Sequence, residues 1–433
     1  METGDSDFED EPSGKFGYRS YEVYQRERVG ETTNLIKPRQ LISTDYLRDP
    51  YPLLETLREN YPCYRDWLGN CFWVTRYDDV TSVFTDEQNY ETRPKRWYYD
   101  SMDYGRDLWK HLPVQWTYEK KIDDHVVDVT HEALSGLTGS TVDLAKDFAA
   151  RIPLALWGRI LALSSEQTNE FAKLYWQMQR GANWEPQLRQ KGIAAMQNMS
   201  SFFEPIFSER RQRSGDDLVS VIAGLELSDG PPNERDLVVT ILELDHETLH
   251  GGLGNLWFNL LMNPKQMEKV RNDHRLMNFA WLETLRHSPP VLSADRFARQ
   301  EVERFGRLIP KGGLVRCSAA AGNRDPRQFE NPDSFIVARK DLCQREPRGQ
   351  YRADGLPSGI AFGFGKPSIY PAVPKGRPRS RYALIRDTVV TASLMLLETS
   401  TTLELPSNGA SPFLTCAHLG EMHTCWALPV FRS

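Results

Sequence analysis

The sequence predicts a mainly α-helical protein with a small β part. Apolar residues recur at helical spacing over long segments, and the clearest of these are residues 144–163, 166–180, 194–213, 236–261 and 382–398. The β-like runs are few and short, as at Cys71–Thr75. A chain of 433 residues holds one large domain or two or three smaller ones.

The composition is typical of a globular protein with a sizeable core, because 40% of the residues are hydrophobic and 26% are charged. A net charge of −6 excludes a general nucleic-acid binder. No run of about eighteen apolar residues occurs, so no transmembrane helix is predicted. The six cysteines lack metal-ligand or disulfide-framework spacing, which predicts a reducing, cytoplasmic location.

The first part of the chain is predicted to be a flexible leader, residues 1–44, followed by one folded domain, residues 45–433. The leader is polar, acidic at its start and without clear periodicity. Asp49–Arg58 is predicted to form a helix that opens with prolines. Arg76–Val80 begins the next helix after the short strand.

A glycine-punctuated loop at residues 360–371 precedes the last long helix. Gly363 and Gly365 allow a tight turn or a close approach of the backbone to a bulky group. Gly-x-Gly alone is a weak motif, and an ordinary surface turn is the simpler interpretation. Its order relative to earlier motifs adds weight to it, namely Glu283-Thr284-Leu285-Arg286 and segments 294–299, 309–312 and 323–335.

This series of motifs resembles the cytochrome P450 superfamily, the haem-thiolate monooxygenases, over about residues 45 to 433. The resemblance implies a single α-rich domain shaped like a triangular prism. It also implies that the glycine loop would present the cysteine that binds haem iron. Ile369 stands at that position in this sequence. The sequence therefore predicts that haem binding is unlikely; if haem is bound, Tyr370 is the candidate ligand, since tyrosine ligates iron in some haem proteins.

The resemblance places the oxygen-activation motif of the family in the helix predicted at residues 236–261. Asp245, Glu247 and Thr248 are the candidate catalytic residues there, the last two matching the acid and alcohol that relay protons. A carboxyl group in a dry apolar pocket has a raised pKa and can act as an acid. Solvated or paired acids are the simpler alternative. The same stretch spells HExxH through His246 and His250, but both lie about 200° around the helix from Thr248, so zinc is disfavoured.

An acidic motif near residue 125 suggests a metal site. Asp123, Asp124 and Asp128 resemble the aspartate-rich motif of terpene synthases, in which carboxylates hold Mg²⁺ and a diphosphate. Favourable acids at a helix start are the simpler alternative. A second magnesium motif is approached at Asp236, Thr240 and Glu243 but is off by one residue.

Cations and aromatics complete the candidate site. The anion-binding candidates, for a diphosphate or a haem propionate, are His125, Arg296, Arg377, Arg379 and Arg381. The candidate pocket aromatics, which could stabilise a cation or merely pack a loop, are Trp97, Tyr98, Tyr99, Trp109 and Trp116. Glu283 and Arg286 match the buried ion pair of the family, a structural role.

Three functions remain open from the sequence. The first is a haem-independent lyase or cyclase on this scaffold, which would cyclise a prenyl diphosphate in the manner of a terpene synthase, with Mg²⁺. The second is an atypical haem-binding monooxygenase with a non-cysteine ligand. The third is a non-catalytic partner of a glycosyltransferase or another tailoring enzyme.

Overall fold

A computed structural model describes most of the chain in two compact units. The described residues are 35–92, 105–106, 108, 111–112, 119–181, 186–242, 246–344, 355–361, 381–400, 402–406, 412–417 and 422–432. The first unit comprises Met1–Arg93, Leu285–Phe335 and Arg339–Tyr370. The second comprises Pro94–Thr284, Ile336–Ala338 and Pro371–Ser433.

The first unit combines short helices with most of the β structure. Its helices are a 3-10 helix at Pro38–Ile42, α1 at Thr44–Arg48, α2 at Tyr51–Asn60, α3 at Tyr77–Thr85 and the short α13 at Ala319–Gly322. Its strands are β1 at Tyr64–Asp66, β2 at Cys71–Val74, β3 at Tyr90–Glu91, β5 at Ser293–Ala298, β6 at Val302–Arg304, β7 at Arg307–Ile309 and β8 at Leu314–Ser318.

A five-stranded sheet with the order β1-β2-β8-β5-β3 organises this unit. β2 and β8 pair in parallel, whereas the other neighbours are antiparallel. All four residues of β2 are buried, as expected for a central strand covered on both faces. The strand predicted at Cys71–Thr75 is therefore confirmed, at Cys71–Val74.

The second unit is mainly helical. Its helices are α4 at Glu119–Ser135, a π-helix at Ala145–Ala149, α5 at Arg151–Ile160, α6 at Ser165–Arg180, α7 at Pro186–Gln212, α8 at Leu218–Ala223, α9 at Glu234–Leu242, α10 at His246–Met262, α11 at Pro264–Asn272, α12 at Leu276–His287 (its last three residues belong to the first unit) and α14 at Arg381–Thr399. Its strands are β4 at Thr141–Asp143, β9 at Leu403–Glu404, β10 at Phe413–Ala417, β11 at Met422–Ala427 and β12 at Pro429–Arg432.

Helix α6 shows why these segments are helical. Ser164 caps the helix, because its hydroxyl oxygen accepts the backbone N–H of Gln167. In turn, the side-chain oxygen of Gln167 accepts the backbone N–H of Ser164. Phe171, Leu174 and Met178 recur on its buried face. They join a core formed with residues of α5, α7, α8 and α9.

The structure differs from the sequence prediction in one helix. Of the long helix predicted at residues 236–261, the structure describes α9 and α10, and residues 243–245 between them lie outside the described part, so the continuity of this helix stays a prediction. The helix predicted at residues 144–163 begins as a π-helix before α5. In addition, the 3-10 helix Pro38–Ile42 lies within the predicted leader. Within the described ranges, no helix has the length and hydropathy needed to span a bilayer.

A glycine lets α10 and α12 approach closely. A Cβ atom added to Gly252 would lie 2.7 Å and 2.8 Å from two ring carbons of Trp281, a fully buried side chain. Glycine costs about 1 kcal/mol relative to alanine in a helix, but at this position it allows the two helices to pack closely.

We expect Gly252→Ala to lower the free energy of unfolding by about 1–3 kcal/mol through overpacking against Trp281, even though alanine is the better helix former. Urea unfolding followed by circular dichroism measures this change. Gly224→Ala serves as the control, because its added Cβ would meet no atom closer than 3.4 Å. Equal stability of Gly252→Ala and the parent would contradict the prediction.

Candidate functional site

Helix α10 carries buried polar side chains that do not suit an ordinary apolar core. Thr248 is 6% exposed, and His246 and His250 are 0% and 1% exposed. Buried polar groups need hydrogen-bond partners and are costly otherwise. Such a concentration on one helix marks α10 as the centre of the candidate site in the second unit.

The two histidines lie in a cluster of aromatic rings. The His246 ring is 4.6 Å from that of Tyr175 and 5.0 Å from that of Trp176, centroid to centroid. The His250 ring is 5.4 Å from Trp176 and 5.2 Å from Trp426. All four contacts are edge-to-face, the favoured arrangement for aromatic pairs. The cluster connects α10 to α6 and β11.

The HExxH spacing does not build a zinc site from the described side chains. The centroids of the two imidazoles are 6.0 Å apart, and both rings contact aromatic neighbours. Among the side chains that the structure describes, no group of three His, Cys, Asp or Glu residues converges in a way that could hold a metal ion. A structural zinc site takes four ligands and a catalytic site three.

Strand β11 reaches the cluster through a β-bulge. Leu414 pairs with Cys425 and Phe413 with Ala427, so Trp426 is the extra residue on β11. Asn255 of α10 fixes this hairpin by accepting the Cys425 N–H at 2.9 Å. Its amide also donates to the carbonyl of His423 at 2.9 Å. Asn255 is a polar residue in an apolar helix, and its role is to satisfy buried backbone groups of β11.

Asp236, considered above as part of a second magnesium motif, is held by an arginine instead. Arg106 donates to Asp236 through its backbone N–H at 2.5 Å and through Nη2 at 2.8 Å. The same guanidinium bonds the carboxylate of Asp229 at 2.6 Å and the carbonyls of Gly230 and Pro231 at 3.0 Å each. The Asp236 carboxylate is therefore part of a structural clamp, which we call the Arg106 clamp.

The segment around Arg106 is anchored at further points. A Cβ on Gly105 would lie 2.1 Å from the carbonyl oxygen of Arg235, so only glycine fits there. Leu108 is fully buried, and its N–H donates to Thr240 Oγ1 at 3.1 Å. Burial works to raise the pKa of Asp236, but the bonds from Arg106 outweigh it and hold that pKa below its ordinary value.

In the first unit, a buried arginine organises the segment after α13. Arg286 is 0% exposed. It donates to the carbonyls of Asn323 at 3.0 Å, Pro332 at 2.7 Å and Ser334 at 3.0 Å. These bonds satisfy a charge that would be costly to bury alone. The structural role predicted for Arg286 fits this geometry.

Glu283 precedes Arg286 by one helical turn and is equally buried, 1% exposed. Its carboxylate accepts the N–H of Ile336 at 2.9 Å. The ion pair between these two residues stays a prediction from the sequence.

Asn323 connects the arginine-held segment to the start of the glycine loop. Its side-chain oxygen accepts the N–H of Ile360 at 3.0 Å, and its amide donates to the carbonyl of Leu285 at 3.3 Å. Tyr77 holds the same segment, because its hydroxyl donates to the carbonyl of Ser358 at 2.7 Å. The chain that enters the glycine loop is therefore fixed by buried hydrogen bonds.

Of the candidate anion-binding residues in the described part, Arg296 belongs to the first unit and His125 to the second. Arg296 of β5 is 8% exposed, and its guanidinium carbon lies 4.6 Å above the ring of Phe84. His125 is half-buried on α4, whereas Asp128 on the same helix is exposed. Asp128 therefore does not line a closed metal cavity.

Several predicted site residues cannot be placed. The side chains of four helical positions are not described: Asp123, Asp124, Glu247 and Arg381. Nine further residues lie outside the described residues: Trp97, Tyr98, Tyr99, Trp109, Trp116, Asp245, Tyr370, Arg377 and Arg379.

Comparisons with known proteins give the chain a family context. Residues 175–365 match the family model described as cytochrome P450. The chain is 25% identical over 350 residues to pulcherriminic acid synthase of Bacillus subtilis (strain 168), which covers 76% of this chain and 85% of that protein. It is 31% identical over 222 residues to cytochrome P450 107B1 of Saccharopolyspora erythraea, covering 50% of this chain and 53% of that one.

Solved structures agree on the fold. The Bacillus subtilis 168 cytochrome P450 PksS, of the bacillaene polyketide synthase, aligns with a TM-score of 0.72 at 20% identity, covering 92% of this chain and all of the other. A ligand-free cytochrome P450, TbtJ1, aligns with a TM-score of 0.71 at 22% identity over 89% of this chain and 99% of that one. The predicted mainly α, P450-like fold is thereby confirmed.

These findings correct the leading functional prediction. The relatives are cytochrome P450 enzymes, so the prediction of an enzyme is confirmed and that of a haem-free, terpene-synthase-like lyase or cyclase is wrong. The prediction that haem is unlikely is wrong for the same reason, because the family implies haem. Mg²⁺ and a prenyl diphosphate find no support among these relatives. The class of substrate that the relatives support is a small molecule.

We expect stability to fall in acid because Asp236 must then take up a proton. Its folded pKa is depressed, so its contribution is present above the unfolded pKa of about 3.9 and is lost as pH falls through the folded value. Asp236→Asn should therefore unfold more easily at pH 7, by about 3 kcal/mol, and this difference from the parent should shrink below about pH 4. Urea titrations across this range measure it.

The control for this experiment is Asp128→Asn, an exposed aspartate on α4. It should leave both the stability and its pH dependence unchanged within about 0.5 kcal/mol. A parallel, pH-independent offset for Asp236→Asn would contradict the assignment.

Proposed function

Because this chain belongs to the cytochrome P450 superfamily, we propose that it is a haem-dependent enzyme that oxidises a small organic molecule. The observation that carries the proposal is the match over residues 175–365, which runs from α6 through α10 to the start of the glycine loop. Within that span, the hydrogen bonds of Arg286 and Asn323 fix the chain that leads into the loop.

The described residues fit a haem only in part. Arg296 offers a largely buried guanidinium, and Asp295 next to it binds Arg316 through two bonds of 3.0 Å and 3.1 Å. A buried guanidinium binds carboxylates through charge-assisted hydrogen bonds. We therefore assign the guanidinium of Arg296 to a haem carboxylate. The thiol that the family uses for iron is the part that does not fit.

When bound, haem would supply the iron centre at which oxidation takes place. The protein contributes binding and proton handling. The hydroxyl of Thr248, which is buried on α10, is assigned to passing protons, and Glu247, the preceding residue in the sequence, to supplying them. Trp176 and Trp426 pack against His250, which lies about 200° around the same helix from Thr248, so they are not assigned to the substrate.

The proposed location is the cytoplasm, and the state of the thiols supports it. None of the six cysteines forms a disulfide, and all six are buried, as expected where disulfides do not persist. A tailoring-enzyme partner was the remaining alternative from the sequence. The relatives described above give it no support, so it is not proposed.

The direct test is the absorbance spectrum of the purified protein after expression with a haem precursor. We expect a Soret band and, with an electron donor or peroxide and a panel of small hydrophobic molecules, a product heavier by one oxygen atom. Failure to take up haem, during expression or by later reconstitution, would overturn the proposed function.

Arg296→Gln is expected to weaken haem binding about tenfold, which corresponds to about 1.4 kcal/mol, through loss of a charge-assisted bond. Titration of the apoprotein with haem, followed at the Soret band, measures the affinity. Arg299→Gln is the matched control, since Arg299 lies three residues on and is half-exposed, paired with Glu91 at 3.2 Å. Equal affinity of both variants and the parent would refute the assignment of Arg296.

A further inference from the structure

We infer that this chain binds haem iron without a cysteine thiolate. The inference rests on the proposed function, because it concerns the ligand of the proposed cofactor. It depends on the burial and the hydrogen bonds of the six cysteines, all of which lie among the described residues. A cysteine can bind iron only if one side of its sulfur atom is not covered by protein atoms.

Two thiols belong to the five-stranded sheet of the first unit. Cys71 and Cys317 lie on the adjacent strands β2 and β8 and are each 0% exposed. The Sγ of Cys71 is 3.9 Å from Asp66 Oδ2. Burial raises the pKa of Cys71 well above its ordinary value and that of Cys317 to about 12. Both strands are held by ladders on each side, so neither thiol can turn away.

The other two cysteines of this unit are fixed through their backbones. The carbonyl of Cys63 accepts Arg307 Nε at 3.2 Å, immediately before β1. Cys343 donates its N–H to the carbonyl of Pro357 at 2.9 Å and is 2% exposed. Cys343 is the cysteine nearest in sequence before the glycine loop, yet it lies enclosed by protein atoms.

The last two thiols lie on the β10–β11 hairpin of the second unit. Cys425 is 0% exposed, its Sγ donates to the carbonyl of Ala427 at 3.4 Å, and burial raises its pKa to about 12. Its N–H is bound by Asn255. Cys416 is 7% exposed and pairs across the hairpin with His423. Both cysteines are therefore buried within the bulged β10–β11 hairpin.

The glycine loop itself contains no sulfur ligand. The sequence has no cysteine between positions 343 and 416, and an aliphatic residue, Ile369, stands where the thiol is expected. The start of the loop is nevertheless held by Asn323 through Ile360. The loop has thus kept its anchoring while the sequence lacks the thiol.

This loss changes the chemistry in a defined direction. A cysteine thiolate pushes electron density to the iron and favours cleavage of the oxygen–oxygen bond. Oxygen or nitrogen donors, including a phenolate or water, lack this strong donation. The iron of this chain is therefore expected to resemble that of proteins with non-sulfur ligands in its spectra and in its reactivity toward peroxide.

The experiment compares the parent protein with Ile369→Cys after identical haem loading. The readouts are the carbon-monoxide difference spectrum of the reduced protein and the electron paramagnetic resonance of the ferric form, neither of which requires a substrate. We expect no thiolate signature in the parent and a thiolate signature in Ile369→Cys. Cys343→Ser is the matched control and should give the spectra of the parent.

Each outcome decides the inference. A thiolate signature in the parent, abolished in Cys343→Ser or in another single Cys→Ser variant, would overturn it and leave the proposed function intact. If the parent takes up no haem but Ile369→Cys does so with a thiolate signature, the inference and the proposed function both fail, because each requires that the parent bind haem. If neither protein takes up haem, the glycine loop is not a ligand-presenting loop and both are overturned.

Discussion

The conformation of the first unit around the glycine loop depends on one buried positive charge. A guanidinium removed from water is tolerated only when its donors find acceptors, and Arg286 finds three backbone carbonyls within about ten residues of one another. That requirement dictates the path of the chain from Asn323 to Ser334. Since the Asn323 side chain also binds Ile360, the path of the glycine loop at its start follows from the same charge.

The sequence was sufficient where the signal is local. Periodicity placed α6 within one residue of its observed start, and the apolar run at Cys71–Thr75 placed the strand β2. It failed where partners are remote. Arg106 and Asp236 are 130 positions apart, so no short-range pattern indicates that they meet.

The site could be predicted only in part for a related reason. The order of several weak motifs was enough for the family and hence for the fold. The function was misjudged because the absence of one ligand was treated as the absence of the whole cofactor. Haem is also held by apolar contacts and by cations at its carboxylates, and Arg296 remains buried in β5. One signal for the missed anchor was present: Asn255 interrupts an apolar helix, and buried amides seek backbone partners.

The bulge at Trp426 has a consequence for how this hairpin can vary. An extra residue on one strand leaves the ladder in register on both sides of it, from Ala417 opposite Met422 to Phe413 opposite Ala427. Removal of that residue would restore a regular ribbon without turning any other side chain over. The ring that contacts His250 can therefore be gained or lost during divergence by a single insertion or deletion, while the rest of the β10–β11 ladder keeps its pairing.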